Sequence, residues 1–225
     1  MQVKFEVSRG SFKPVHDIGR PIFDISLVAR FRGDASAHKL ITGIQENAQG
    51  INGVHVVEGG VSHLTLLKPV FIKEFGEGAR MVPEGEKEGH FDDFQAALRF
   101  IEARAALRTM IILEAFEISI GESNVKLSYL DPQGKVAKIQ DKLESVLRGR
   151  KELFEASPRS KPYRSTVLRF APGLDEAGYD KMVKKIESFA YVQPDLLSTQ
   201  ISFKDMFAVR FDALFKHWVE EEAVF

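Results

Sequence analysis

Residues 21–31 read PIFDISLVARF, and Phe23, Ile25, Leu27, Ala29 and Phe31 fall at every second position. A period of two belongs to a strand with one buried face, because successive side chains point to opposite sides of the pleat. After Arg32-Gly33 the spacing changes. Leu40, Ile41, Ile44 and Ala48 recur at threes and fours, which is the stripe of a helix that Asp34 or Ser36 can cap and Gly50 can stop. A chain that switches period this quickly builds mixed structure from short elements.

The alternation continues. VHVVEGG and VSHLTLLKPV are two short strand-like runs around a Gly-Gly turn, read together as a hairpin. Lys73 to His90 is rich in Gly and Glu, has no apolar period and reads as a loop excursion. FDDFQAALRFIEARAALR has helical spacing through Phe94, Leu98, Ile101 and Leu107, while TMIILEAFEISI and NVKLSYL are apolar enough for buried strands. Lys135 to Leu147 is an amphipathic helix, YRSTVLRF a strand, and DEAGYDKMVKKIESF a helix with a basic polar face. In the tail, Phe203, Phe207, Phe211 and Phe215 fit a helix as well as a strand. Ile201, Val209, Val219 and Val224 favour a closing hairpin with Trp218 near it, and such a phenylalanine stripe is core rather than a ligand site. The class expected is α+β.

Composition removes several functions. The 225 residues are 44% hydrophobic, enough for a real core in one large domain or two small lobes. With no cysteine, there is no disulfide scaffold and no thiolate metal site, which fits a reducing compartment. Thirty-one basic against 32 acidic residues leave a net charge of −1, so no broad polyanion-binding surface is implied, only room for a local basic pocket. MQVKFEVSRG has no uninterrupted apolar segment and no run reaches the length of a membrane span, so a soluble, cytoplasmic protein is expected. His16, His38, His55, His90 and His217 form no pair at the spacing of a helical zinc site, and no metal is expected. Gly-x-Gly-x-x-Gly turns, phosphate-binding loops and Gly-x-Ser-x-Gly elbows are also missing.

One histidine stands inside an apolar strand. In HLTLLKPV, His63 and Thr65 are two apart, so imidazole and hydroxyl project from the same face while Leu64 and Leu66 face the other way. A tripeptide this short recurs by chance, and taken alone His63 reads as a satisfied core histidine. A second stretch, KPYRSTVLRFAP, changes that reading. Arg164 and Thr166 have the same spacing on the same kind of strand, and in both stretches aliphatic residues and a proline follow the threonine.

With these two motifs the chain resembles the 2H phosphoesterase superfamily, which includes RNA 2′-5′ ligases and cyclic phosphodiesterases and carries two His-x-Thr/Ser motifs, one on each of two lobes. The resemblance runs from FDISLVARF through HLT and PYRST to the hydrophobic ending around Trp218. His63 and Thr65 match the first motif and Thr166 the hydroxyl of the second. Arg164 stands where the second histidine belongs. The resemblance implies a single domain over 1–225, built as two pseudo-symmetric lobes of antiparallel strands flanked by helices around a central groove.

It also implies chemistry on the 2′,3′-cyclic phosphate end of a nucleotide or RNA, without cofactor or metal. In the family one imidazole takes a proton from water, the other gives one to the departing ribose oxygen, and the hydroxyls hold the non-bridging oxygens. Imidazole suits both roles because its ordinary pKa lies near neutrality. A guanidinium stays charged and grips phosphate in two-pronged fashion, so Arg164 removes half of the acid–base pair and keeps a clamp. Three readings stay open: a phosphodiesterase or ligase-like enzyme using His63 and Thr65 with Arg164 and Thr166 on the phosphate; a degenerate member that binds nucleotide or RNA ends without turnover; or an interaction module with a structural His63. Oligomeric state is not written in the sequence.

Overall fold

The computed structural model describes residues 4–7, 13, 21–31, 36–56, 63–70, 92, 95–96, 99, 110–147, 163–192, 198–201, 206–213 and 220–223. In chain order the elements are β1 (Lys4–Val7), β2 (Pro21–Arg30), α1 (Ser36–Ala48), β3 (Val54–Val56), β4 (His63–Val70), β5 (Ile111–Ile120), β6 (Asn124–Leu130), α2 (Lys135–Leu147), β7 (Tyr163–Phe170), α3 (Glu176–Val192), β8 (Ser198–Ile201), β9 (Met206–Ala213) and β10 (Glu220–Ala223). This is an α+β fold. One sheet runs β1-β5-β6-β7-β4-β2-β9-β10, with β3 added beside β7 and β8 beside β5. Its ladders are antiparallel except β1 on β5. The two motif strands, β4 and β7, are neighbours in the middle of that order.

The hairpin read between VHVVEGG and VSHLTLLKPV does not form. β3 pairs with β7 instead, Val54 opposite Phe170 and Val56 opposite Leu168. The cause lies at Gly53, whose φ of 72° is open to glycine at little cost and whose carbonyl accepts from the Ala171 amide at 2.7 Å. That turn sends the chain leaving α1 along the end of β7. The tail closes as a hairpin of β9 and β10, in accord with its β-branched residues. Asp92, Gln95, Ala96 and Arg99 of the helix expected over 91–108 are helical. The expected loop at 73–90, Trp218 and Phe203 lie outside the described residues.

Two bulges decide which side chains share a face. On β5, Ile111, Leu113 and Ala115 are buried at odd positions, then Ile118 and Ile120 at even ones. The register skips Phe116, with Ala115 opposite Tyr129 and Glu117 opposite Ser128, so one extra residue restores the apolar side. β7 does the same. Lys126 is opposite Thr166 and Val125 opposite Leu168, leaving Val167 as the extra residue, and the buried set changes from Tyr163, Ser165 and Val167 to Leu168 and Phe170.

The core lies on the helix side of the sheet. Leu64, Leu66, Leu127, Tyr129, Val167 and Phe170 cluster with Leu40, Ile41 and Ile44 of α1, Val136 and Ile139 of α2, and Met182 and Ile186 of α3. Asp175 caps α3, its carboxylate accepting from the Gly178 amide at 2.7 Å. Gly43 of α1 lies so close to the Phe189 ring of α3 that any side chain there would displace it. No helix among the described residues is long and apolar enough to cross a membrane.

Candidate functional site

A single bridge joins the two motifs, for Thr65 on β4 lies directly opposite Arg164 on β7. Opposed residues in an antiparallel pair share a face, so threonine hydroxyl and guanidinium project to the same side. Two positions along in the same register, His63 and Thr166 follow on that face. Leu64, Leu66 and Ser165 point the other way and are buried there. All four residues singled out in the sequence therefore belong to one face of two adjacent strands. Arg164 is exposed, and His63, Thr65 and Thr166 are partly exposed, so solvent reaches all of them.

The row extends sideways through the ladders. Opposite Arg164 on β6 is Ser128, and opposite Thr166 is Lys126. Beyond them on β5 lie Glu117 and Ser119, and on β1 Lys4 and Glu6. The β7 bulge matters here. Arg169 pairs with Asn124, which shares a face with Lys126, so the extra Val167 returns Arg169 to the side of Arg164 and Thr166. Without the bulge its guanidinium would face the core.

Three cations thus gather on β6 and β7. Burial pushes the Lys126 ammonium below the usual lysine range, and the nearby charges of Arg164 and Arg169 push it further the same way. Burial also lowers Arg169, to about 10. Of the carboxylates on this face, Lys4 holds Glu6 at 2.9 Å and Glu117 at 3.6 Å, and Glu117 also accepts from the Ser128 hydroxyl at 3.5 Å. No ion pair among the described residues joins Arg164 or Lys126 to a carboxylate. On the other flank, Thr65 faces Val28 of β2, which is fully buried, and the Arg30 guanidinium lies 5.1 Å from the centre of the Phe207 ring.

The motif strands are held from the helix side by two glutamines. Gln45 of α1 donates to the carbonyl of Val167, the residue after Thr166, at 3.3 Å. Gln140 of α2 donates to the carbonyl of Leu66, the residue after Thr65, at 2.5 Å. Both glutamines are buried. A buried carbonyl outside the ladder needs a donor, and each glutamine supplies one next to a motif threonine. Sequence reading missed them and Lys126. A polar residue inside an apolar stripe, Gln45 after Ile44 and Gln140 after Ile139, was the available signal. Lys126 gave none, since its place beside Thr166 depends on register.

Chemically, the face offers a titratable imidazole, two hydroxyls and fixed positive charge within two neighbouring strands and a third. Such a set suits an anion with several acceptor oxygens. Among the described residues no group of three or more His, Asp or Glu side chains is placed to hold a metal ion.

No family model and no curated protein matches the chain. Among solved structures it is similar to ATU0111 of Agrobacterium tumefaciens, a conserved protein of unknown function, with a TM-score of 0.58 and 9% identity over 88% of this chain and 84% of that one. It also aligns with TT0787 of Thermus thermophilus, with a TM-score of 0.46 and 13% identity over 88% of this chain and 96% of that one. The likeness to ATU0111 is one of fold: this chain has the α+β architecture of that protein.

Proposed function

We propose that the chain is a 2H-type, metal-independent phosphodiesterase-like protein that acts on the 2′,3′-cyclic phosphate ends of RNA or nucleotides. The observation that carries this reading is the bridge between Thr65 and Arg164, with His63 and Thr166 on the same face. A phosphate seated over the two threonines has a guanidinium to bind two of its oxygens and an imidazole to take the proton of an attacking water. Each half of the motif pair is assigned to one lobe of a two-lobed domain, as in the superfamily the sequence resembles. The test is a turnover assay with adenosine 2′,3′-cyclic phosphate in the presence of a chelator. Formation of 2′- or 3′-AMP that stops in His63→Ala supports it; no turnover in the wild-type protein rejects it.

The second reading, a protein that binds such ends without turning them over, is favoured by one observation. The position opposite Thr65 holds Arg164 and not a second imidazole. Calorimetry with 3′-AMP and a chelator separates the two. Tight binding without hydrolysis of the cyclic compound selects the binder, and absence of both leaves His63 a structural residue.

A further inference from the structure

We infer that Lys126 is the second proton-transfer residue of this site, the group that protonates the departing ribose oxygen while His63 accepts the proton of water. The inference rests on the enzymatic reading above and goes beyond it by supplying the partner that Arg164 cannot be.

Placement is the first argument. In the order β4-β7-β6, Thr166 lies on the middle strand, with Lys126 directly opposite on one side and, on the other, His63 on the same face of β4, two residues before the Thr65 that pairs with Arg164. Neighbouring strands are about 4.8 Å apart, so the two backbones flank Thr166 at about 10 Å from each other. A phosphate over Thr166 then has imidazole on one side and ammonium on the other. Displacement at phosphorus needs that arrangement, since the attacking and leaving oxygens lie roughly in line.

Protonation is the second argument. An ordinary lysine holds its proton too firmly to give it up well near neutrality, and enzymes tune it downward by burial and neighbouring cations. Lys126 has both influences: half-burial, and Arg164 and Arg169 from β7. From β5 it faces Ser119, with Glu117 diagonal to it and held by Lys4; beyond β7, on the same face of β4, stands His63, itself opposite Arg30 of β2; its own strand adds Asn124 and Ser128. None of these is a carboxylate paired with Lys126 among the described residues, so nothing there returns its affinity to the ordinary range.

The step balances without a further reactant. Water's oxygen bonds to phosphorus and its proton passes to His63. The bond from phosphorus to one ribose oxygen breaks, that oxygen keeps the electron pair, and it receives a proton from the Lys126 ammonium. The product is a nucleoside monophosphate. His63 is left charged and Lys126 neutral, and exchange with solvent restores both.

The experiment measures kcat, KM and their pH dependence on adenosine 2′,3′-cyclic phosphate for wild type, Lys126→Gln and Lys126→Arg, with thermal melts to verify folding. Lys126→Arg keeps the charge and loses the transferable proton, and it stays informative if Lys126→Gln does not fold. Expected is a fall in kcat of about 10²–10⁴-fold in both variants. KM in Lys126→Arg should stay within about threefold, as for a group used in the transition state alone. The alkaline limb of the wild-type kcat/KM profile should vanish in both. Recovery of the wild-type rate by arginine, or an unchanged limb, makes Lys126 an electrostatic or structural group and overturns the inference while the proposed activity stands. A wild-type protein without turnover overturns both.

Discussion

β4 and β7 lie side by side with a threonine at matching places, yet their surroundings differ. Thr65 on β4 has a buried valine beside it on β2, while Arg164 and Thr166 on β7 have Ser128 and Lys126 beside them on β6. On the β4 side His63 is the titratable group, with Arg30 of β2 directly opposite it and Val28 opposite Thr65. The β7 side is polar and gathers Arg164, Arg169 and Lys126. On the proposed function, two strands with closely similar motifs divide the chemistry between them, β4 moving a proton and β7 gripping an anion. A motif's chemistry is set across the ladder as much as along the chain.

The largest expected effect breaks the comparison at β4. In His63→Ala turnover of a 2′,3′-cyclic nucleotide should fall by about 10²–10⁴-fold, the usual contribution of a positioned acid or base, while binding of 3′-AMP changes little. Equal losses of rate and affinity would make β4 a binding strand like β7 and erase the division.

Next in size is Arg164. A hydrogen bond to a charged group contributes about 1.5–3 kcal/mol, so Arg164→Ala should weaken 3′-AMP binding by roughly 10- to 150-fold in a calorimetric titration. Arg164→His is the sharper variant. With Lys126 as donor it loses the clamp and gains nothing, so kcat/KM drops. A rise instead would mean that the donor is missing and that the position opposite Thr65 is where the site wants it.

Much of the fold, and the shared face of the four candidate residues, was legible in the sequence, and the reasons are local. PIFDISLVARF, NVKLSYL and YRSTVLRF form strands because alternation and β-branching agree, and Lys135 to Leu147 is a helix over the expected residues. His63, Thr65, Arg164 and Thr166 were found because same-face spacing of two is a property of the chain itself. What escaped depends on register. That β3 joins β7 rather than β4 is decided by Gly53 and its bond to Ala171, and the return of Arg169 to the site face by one unpaired valine. A bulge inverts every later side chain, and no periodicity announces it. Lys126 was hidden for the same reason, whereas Gln45 and Gln140 left a trace as polar residues within apolar helix stripes.

Those glutamines give a third test, smaller in energy. Removing the donor from a buried carbonyl costs about 1–3 kcal/mol, so Gln45→Leu and Gln140→Leu should each lower stability by that amount in urea titrations. If β4 and β7 are equivalent halves of one device, the two losses match and both variants slow turnover through displacement of a threonine. A loss confined to Gln140→Leu would say that only the proton-moving strand needs its place held so firmly. The Gln45 bond is the longer of the two, 3.3 Å against 2.5 Å, so the difference should go in that direction.

The smallest effect concerns the charge that β7 and β6 accumulate. Lys126 has its folded pKa below the ordinary lysine value, through burial first and then Arg164 and Arg169. Between the folded value and the ordinary 10.5, the unfolded chain holds more protons at this residue than the folded one, so stability rises with pH across that window. Below it the folded protein bears the full cost of a half-buried cation beside two others. Lys126→Met should therefore be more stable than wild type near neutrality, and the gap should close as pH climbs toward the ordinary value. Solvent screening at a half-exposed group keeps the difference under about 1 kcal/mol. Differential melts from neutral to alkaline pH measure it, with Lys4→Met as the control from the other edge of the face, where the nearby Glu6 and Glu117 raise the pKa and the residue is fully exposed. A phosphate ligand shifts the balance, since an anion over Arg164 and Lys126 offsets their repulsion. Added 3′-AMP should stabilise wild type more than Lys126→Met, and an equal gain in both would place the anion on Arg164 alone and leave Lys126 outside the site.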